Sequence, residues 1–312
     1  MNQITTTILA SINSVIAGKE DVVEKVLMAI LSGGHVLLED VPGVGKTTLA
    51  LSFARALGLD TRRVQFTSDT MPSDILGFSV YDRDAGTFVY KPGAVMTNLL
   101  LADEINRTSS KTQSALLEAM EEHNVTVDGQ TYPLPEPFVV LATQNPVGSA
   151  GTQLLPAAQL DRFLIRTSMG YPDAQSQIDI LKERHHDNPL DRVSAAVTRP
   201  QLQELMEQAR QVHIADEVYA YVVALVTATR ESEYVELGVS PRGALALCRM
   251  AKSCAFVRGR DYVIPEDVAA VFDDVCCHRL VLSAKARLHR LTAEAVTAEL
   301  VKAVKMPQVR EA

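Results

Sequence analysis

Five short apolar runs, separated by stretches of helical periodicity, constrain this chain more than any other feature. They cover residues 35–39, 63–67, 98–102, 138–143 and 163–167. Most are apolar almost throughout, as a strand buried on both faces must be. Alternating strand and helix predicts an α/β layer fold around a central parallel sheet flanked by helices. Helices are predicted over 47–57 and 111–122, the second with Leu116, Leu117 and Met120 on one stripe.

Two pieces interrupt this pattern. Residues 80–81 and 87–90 flank Arg83-Asp84-Ala85-Gly86, a predicted hairpin. Residues 125–127 and 130–132 flank Asp128-Gly129, a pair that two-residue hairpin turns favour. Beyond Tyr171-Pro172 glycine and proline thin out. Helical periodicity then covers 200–212, 216–229, 241–257, 265–282 and 292–304, with Ser240-Pro241 and Pro265-Glu266 as start signals. The expected organisation is an α/β domain over residues 1–170 and an all-α domain over residues 171–312.

Composition narrows the class. A chain of 312 residues with 47% hydrophobic and 22% charged residues is globular, and its net charge of −8 argues against a free-standing nucleic-acid binder. No apolar run approaches the roughly 18 residues of a membrane-spanning helix. Residues 1–18 lack the basic start of a secretory signal and read as a first amphipathic helix. The cysteines (Cys248, Cys254, Cys276, Cys277) cluster in the last third, unlike a disulfide framework, so a reducing cytoplasm is expected.

Chemistry enters at Gly43-Val44-Gly45-Lys46-Thr47-Thr48, directly after a predicted strand and at the start of a predicted helix. The N–H groups of such a loop wrap a phosphate, and the helix N-terminus adds positive partial charge. Glycines let the backbone approach without Cβ clashes. Lys46 is placed to reach the β- and γ-phosphates, and Thr47 to offer its hydroxyl to Mg²⁺. Asp40 stands where the strict pattern has glycine, although Pro42-Gly43 still supplies a turn. Further on, an apolar strand ends in Asp103-Glu104. Open α/β sheets place their chemistry at such strand ends. Asp103 is suited to hold Mg²⁺ through water, and Glu104 to orient and polarise an attacking water. A solvated pair of acids is the plain alternative.

A loop of the form PGxGKT, the run ADEINR and the run ATQNP at 142–146 together resemble the MoxR family of AAA+ ATPases. The resemblance spans nearly the whole chain and is most specific over 100–107, 128–146 and 159–163. The two hairpins fall where this clade carries its helix-2 insert and its pre-sensor-1 insert. The resemblance implies ATP and Mg²⁺, with Pro42, Gly43, Val44, Gly45, Lys46, Thr47 and Thr48 around the phosphates, and Thr47 and Asp103 at the metal. It places residues 15–18, ending in Gly18, against the adenine. It makes Asn145 the sensor-1 residue, Arg162 the finger that enters a neighbouring subunit's site, and Arg242 the sensor-2 arginine of a helical lid. Arg162 has a structural alternative, a salt bridge to Asp161 or another acid. Arg166 and Arg107 are then the arginines left for the finger.

The same resemblance implies a homo-oligomer, usually a hexameric ring, acting as a chaperone on protein clients. A von Willebrand factor A domain partner is often involved, and sometimes metal insertion. Nucleic-acid motors and metal-chelatase motor subunits belong to the same clade. The hairpins here carry only Arg83 and Lys91, so nucleic acid is not an expected partner. A nucleotide-gated scaffold without turnover conflicts with the intact Glu104 and Asn145.

Three further groups are set aside. Cys276-Cys277-His278 lacks a second Cys/His pair at zinc spacing. His185-His186 reads as part of a solvated connection, and Glu118, Glu121 and Glu122 as a solvated helix face.

Overall fold

Side chains of a strand alternate between faces, and the three inner strands of the sheet here bury both. A computed structural model describes residues 3–41, 43–84, 86–145, 155–183 and 189–307, the side chains of 179–183 excepted. The chain opens with α1 (Gln3–Asn13) and α2 (Glu20–Leu31), then β1 (Val36–Glu39), α3 (Lys46–Ala56) and β2 (Thr61–Gln65). The short helix α4 (Pro72–Leu76) leads into a hairpin of β3 (Gly77–Asp82) and β4 (Thr87–Pro92). Next come β5 (Leu99–Asp103), α5 (Ser110–Glu122), a second hairpin of β6 (Asn124–Val127) and β7 (Gln130–Pro133), β8 (Val139–Gln144), α6 (Ala157–Leu160) and β9 (Ile165–Thr167).

The five predicted central strands form one parallel sheet in the order β2-β5-β8-β1-β9. Val36 and Leu38 of β1, Leu99 and Leu101 of β5, and Val139 and Leu141 of β8 pack into the core that also holds α1, α2 and α3. Their neighbours Leu37, Leu100, Ala102, Val140 and Ala142 pack against Leu116, Leu117 and Met120 of α5 on the other face. Truncating one such leucine to alanine would cost about 2–5 kcal/mol. β2 is an edge strand and mostly exposed, which is why its run is the most polar of the five.

Both predicted hairpins form. Asp128 and Gly129 both have positive φ (50° and 80°), the geometry an Asp-Gly turn provides. The stacked rings of Tyr90 and Tyr132, 4.1 Å apart, join the two hairpins.

Helices dominate the remainder: α7 (Ala174–Glu183), α8 (Arg199–Gln211), α9 (Asp216–Glu231), a strand β10 (Val235–Leu237), α10 (Pro241–Val257) and α11 (Pro265–Cys276). A strand β11 (Val281–Leu282), α12 (Ala284–Leu288) and α13 (Ala293–Ala303) complete it. Ser240 caps α10 by accepting the Gly243 N–H, as the Ser-Pro signal predicts. The helix expected over 265–282 is shorter. It stops at Cys276, turns through a 3₁₀ segment and ends in β11, which pairs antiparallel with β10. The helical half therefore carries one small two-stranded ribbon.

The two halves share one hydrophobic core through α2, a second helix not foreseen near the start. Residues 26–31 of α2 are all buried. Ser32, just after it, donates to the Arg249 carbonyl of α10 and lies 2.8 Å from Ser253 Oγ. Lys25 pairs with Asp274 of α11 at 2.9 Å.

Candidate active site

The carboxyl ends of β1, β5 and β8 converge at one edge of the sheet. After β1 the chain crosses to the far edge and returns, so the space between β1 and β8 is a topological switch point, where such sheets bind ligands. The loop after β1 carries positive φ at Gly43 (87°) and Gly45 (99°), a conformation that only glycine adopts freely. A Cβ at Gly43 would meet nothing within 4 Å, so the loop is an open cradle. Val44 is half-buried against the core, and Thr47 and Thr48 are half-buried in the first turn of α3. Pro42 lies outside the described residues.

Lys46 is buried, and its Nζ donates to the Asp40 main-chain carbonyl at 2.7 Å. Burial lowers its pKa from the ordinary lysine value, while Asp40, Asp103 and Glu104 pull the other way. Asp40 turns out to be an anchor. Its buried carboxylate accepts the Met169 N–H (2.6 Å), the Gly170 N–H (3.0 Å) and the Ser168 hydroxyl (2.7 Å). It thereby ties the loop to the segment leaving β9, a role glycine could not fill.

Asp103 ends β5. Its Oδ1 accepts the Thr143 hydroxyl at 2.9 Å, and its Oδ2 lies 3.5 Å from Thr47 Oγ1. Arg63 of β2 also donates to Oδ2. Glu104 has φ 57° and ψ 48°, a left-handed conformation costly for a non-glycine residue. Neighbouring groups hold it there: its N–H donates to Thr143 Oγ1 at 2.9 Å, Arg107 donates to Oε2 at 2.9 Å, and Asn145 Nδ2 donates to Oε1 at 3.2 Å. The Arg107 hydrogen bond is the main reason the Glu104 carboxyl sits below its ordinary pKa, with Asn145 and Lys46 adding to it. Asn145 is held by Asn106, which donates to its carbonyl at 3.1 Å. Asn145 Oδ1 is buried and has no partner among the described residues.

The loop, Asp103, Glu104 and Asn145 are thus brought together. The two remaining arginines lie elsewhere. Arg162 donates to the Leu117 carbonyl at 2.5 Å and lines a polar cleft with Ser114, Glu118, Glu122 and Gln159. The alternative bridge to Asp161 is not formed. Asp161 is taken by Arg279, a nearly buried side chain that also binds the carbonyls of Phe163 and Leu164. Arg242, at the start of α10, pairs with Glu121 and lies 3.9 Å from Asp161. Glu121 is therefore an inter-domain partner and not only a solvated face. Arg166 is committed to Glu39 and Glu294 within the chain.

Gly18 has φ 69°, and a Cβ there would lie 2.4 Å from Ser176 Oγ, so Gly18 packs against the start of α7. Cys276, Cys277 and His278 are buried, and no metal-binding group of three or more His, Cys, Asp or Glu occurs among the described residues. His185 and His186 lie outside those residues. The contributions of Asp40, Arg63, Asn106, Thr143 and Arg279 carry no local sequence signal. Each depends on which strands become neighbours.

A five-stranded parallel sheet, a glycine cradle after β1 at its switch point and paired acids at the end of β5, beyond β8, define a nucleotide hydrolase of the P-loop class. Residues 35–165 match the model of the ATPase family associated with various cellular activities (AAA), and residues 227–300 match an AAA lid domain. The chain is 46% identical to uncharacterized protein YeaC of Bacillus subtilis, over 96% of this chain and 94% of that protein. It is 42% identical to chaperone MoxR1 of Mycobacterium tuberculosis, over 96% of this chain and 81% of that one. Its fold is similar to the crystal structure of an ATPase candidate from Cytophaga hutchinsonii, with a TM-score of 0.90, 36% identity and coverage of 98% and 96%. The chain belongs to the MoxR family of AAA+ ATPases, enzymes that hydrolyse ATP.

Proposed function

We propose that the chain is a Mg²⁺-dependent ATPase subunit of a homo-hexameric ring that remodels or matures client proteins. Residues 1–170 serve as its nucleotide core and residues 171–312 as its lid. The clamped Glu104, with the unpartnered Asn145 Oδ1 beside it, carries this reading. An ionised carboxylate that feels the charge of Lys46, clamped by an amide whose oxygen has no partner among the described residues, fits one water held for in-line attack on the γ-phosphorus. Glu104 orients that water and takes up its proton, and Asn145 fixes its position. Lys46 leaves the Asp40 carbonyl to hold the β- and γ-phosphates, with the loop N–H groups around them.

The donor set at Thr47 and Asp103, one hydroxyl and one carboxylate, suits a small hard cation that keeps most of its waters. When bound, Mg²⁺ supplies charge neutralisation across the β- and γ-phosphates. Arg162 has no carboxylate partner among the described residues and lies in an open cleft, which fits a finger for a neighbour's site. Arg242 acts as sensor 2 once it exchanges Glu121 for the phosphate. Client remodelling is supported by the relative named a chaperone. A von Willebrand factor A domain partner follows from family likeness, and a cytoplasmic setting from the free cysteines. No helix among the described residues is long and apolar enough to cross a membrane.

Mixing Arg162→Ala with Lys46→Ala subunits tests the ring. A finger acting in trans restores ATPase activity at interfaces that pair an intact Arg162 with an intact Lys46. Absence of recovery at every mixing ratio counts against it.

A further inference from the structure

Both Asp103 oxygens are engaged, and by different kinds of group. Oδ1 accepts the neutral Thr143 hydroxyl, whereas Oδ2 accepts two nitrogens of one guanidinium, Arg63 Nη2 at 2.8 Å and Nε at 3.0 Å. Oδ2 is also the oxygen that lies nearest Thr47 Oγ1. Arg63 therefore stands on the one carboxylate atom that the hydroxyl of the phosphate loop faces.

Strand register explains how it gets there. β2 runs parallel to β5 with Arg63 opposite Leu101 and Gln65 opposite Asp103. The long Arg63 side chain leans along its strand and reaches the carboxylate two positions on, and Gln65 Oε1 steadies it by accepting Nη2 at 3.3 Å. The partners differ in freedom. The Asp103 side chain is 9% exposed, while that of Arg63 is 51% exposed on an edge strand. A nearly buried carboxylate with no counter-charge is unfavourable. An ion pair with a half-exposed arginine is weak enough to be exchanged.

We propose that Arg63 is a place-holding cation for the metal position. Without a divalent cation, its guanidinium neutralises Asp103 and keeps Oδ2 directed at Thr47. Metal entry is then an exchange in which the guanidinium releases Oδ2 and swings toward solvent. The inference rests on reading Asp103 and Thr47 as the metal-holding pair. Arg63 acts through Asp103 and is a positioning residue. Its removal takes away both a competitor for Oδ2 and a like charge beside the metal, so the cation binds more tightly.

The test uses Mn²⁺ as the probe, titrated by electron paramagnetic resonance into the full chain with a non-hydrolysable ATP analogue. Arg63→Gln is expected to bind Mn²⁺ about two- to fivefold more tightly than the parent protein. Binding of the analogue in EDTA should be unchanged. Equal or weaker Mn²⁺ binding overturns the inference. Weaker metal-free analogue binding also overturns it, because Arg63 would then be a phosphate ligand. Asp103→Asn separates the two readings. If it binds Mn²⁺ like the parent, the metal role of Asp103 fails. If it loses Mn²⁺ while Arg63→Gln is unchanged, only the place-holder inference fails.

Discussion

Asn145 Nδ2 donates to Glu104 Oε1 at 3.2 Å, while the opposite face of the same amide, Oδ1, has no partner among the described residues. The amide joins the ends of two adjacent strands, β5 and β8, and keeps a buried oxygen without a partner among the described residues. Such an arrangement fixes a carboxylate and reads what lies beside it with one side chain. It also predicts how the site responds to change.

Arg107 controls the ionisation of Glu104. Its hydrogen bond is the main force holding the carboxyl below its ordinary pKa, and Asn145 adds a second. A lowered value means the charged form persists as pH falls. Arg107→Ala should let the pKa rise, so the acid limb of the kcat profile should move to higher pH. An unmoved limb would show that Glu104 ionisation does not govern turnover.

The Arg242–Glu121 pair sets the resting position of the arginine proposed as sensor 2. Both side chains are substantially exposed, so the pair contributes about 0–1 kcal/mol to stability. Glu121→Gln should leave the melting temperature nearly unchanged and tighten ATP binding by about two- to fivefold. Fluorescent nucleotide titration measures this. Unchanged affinity would mean that Arg242 never leaves Glu121 for the phosphate.

Asp40 accepts three hydrogen bonds in a buried position. Asp40→Ala leaves the Met169 N–H without its partner and should cost about 1–3 kcal/mol. Denaturant unfolding measures that loss. Because the loop glycines are untouched, residual nucleotide binding should persist in the folded fraction.

His35 predicts a pH dependence of stability. Its Nδ1 accepts the Val140 N–H and its Nε2 faces the Met120 carbonyl, and the residue is buried. Burial pushes its pKa down to about 4. The unfolded chain takes up a proton near pH 6.5, and the folded one does so only near pH 4. Stability is therefore lost as pH falls through that window, by about 1.4 kcal/mol per unit and on the order of 3 kcal/mol in all. Melting temperatures between pH 7 and 5 should fall in the parent protein and fall less in His35→Gln.

Features encoded locally were legible in the sequence. Apolar runs marked the five central strands, Asp128-Gly129 marked its turn, and Ser240-Pro241 marked the start of α10. The phosphate loop and the Asp103-Glu104 pair were visible because each is contiguous. What escaped depends on neighbours distant in the chain. Asp40 reads as a departure from a motif until β9 is placed beside β1. Arg63 reads as one polar residue on an edge strand until its register with β5 is known. The early end of α11 is set by Arg279, whose 3₁₀ turn lets it reach Asp161 and the carbonyls of Phe163 and Leu164. Glu121 looked solvated because its partner, Arg242 at the start of α10, lies 121 residues further along the chain.

The proposed hydrolysis requires Glu104 to act on the water and not on the nucleotide. The most direct measurement compares ATP binding and phosphate release in Glu104→Gln, which keeps the shape and the Asn145 contact. Nucleotide affinity should stay within about twofold of the parent, while kcat should fall by about 10²–10⁴. Parent-like turnover in a variant that still binds ATP would contradict the assigned mechanism.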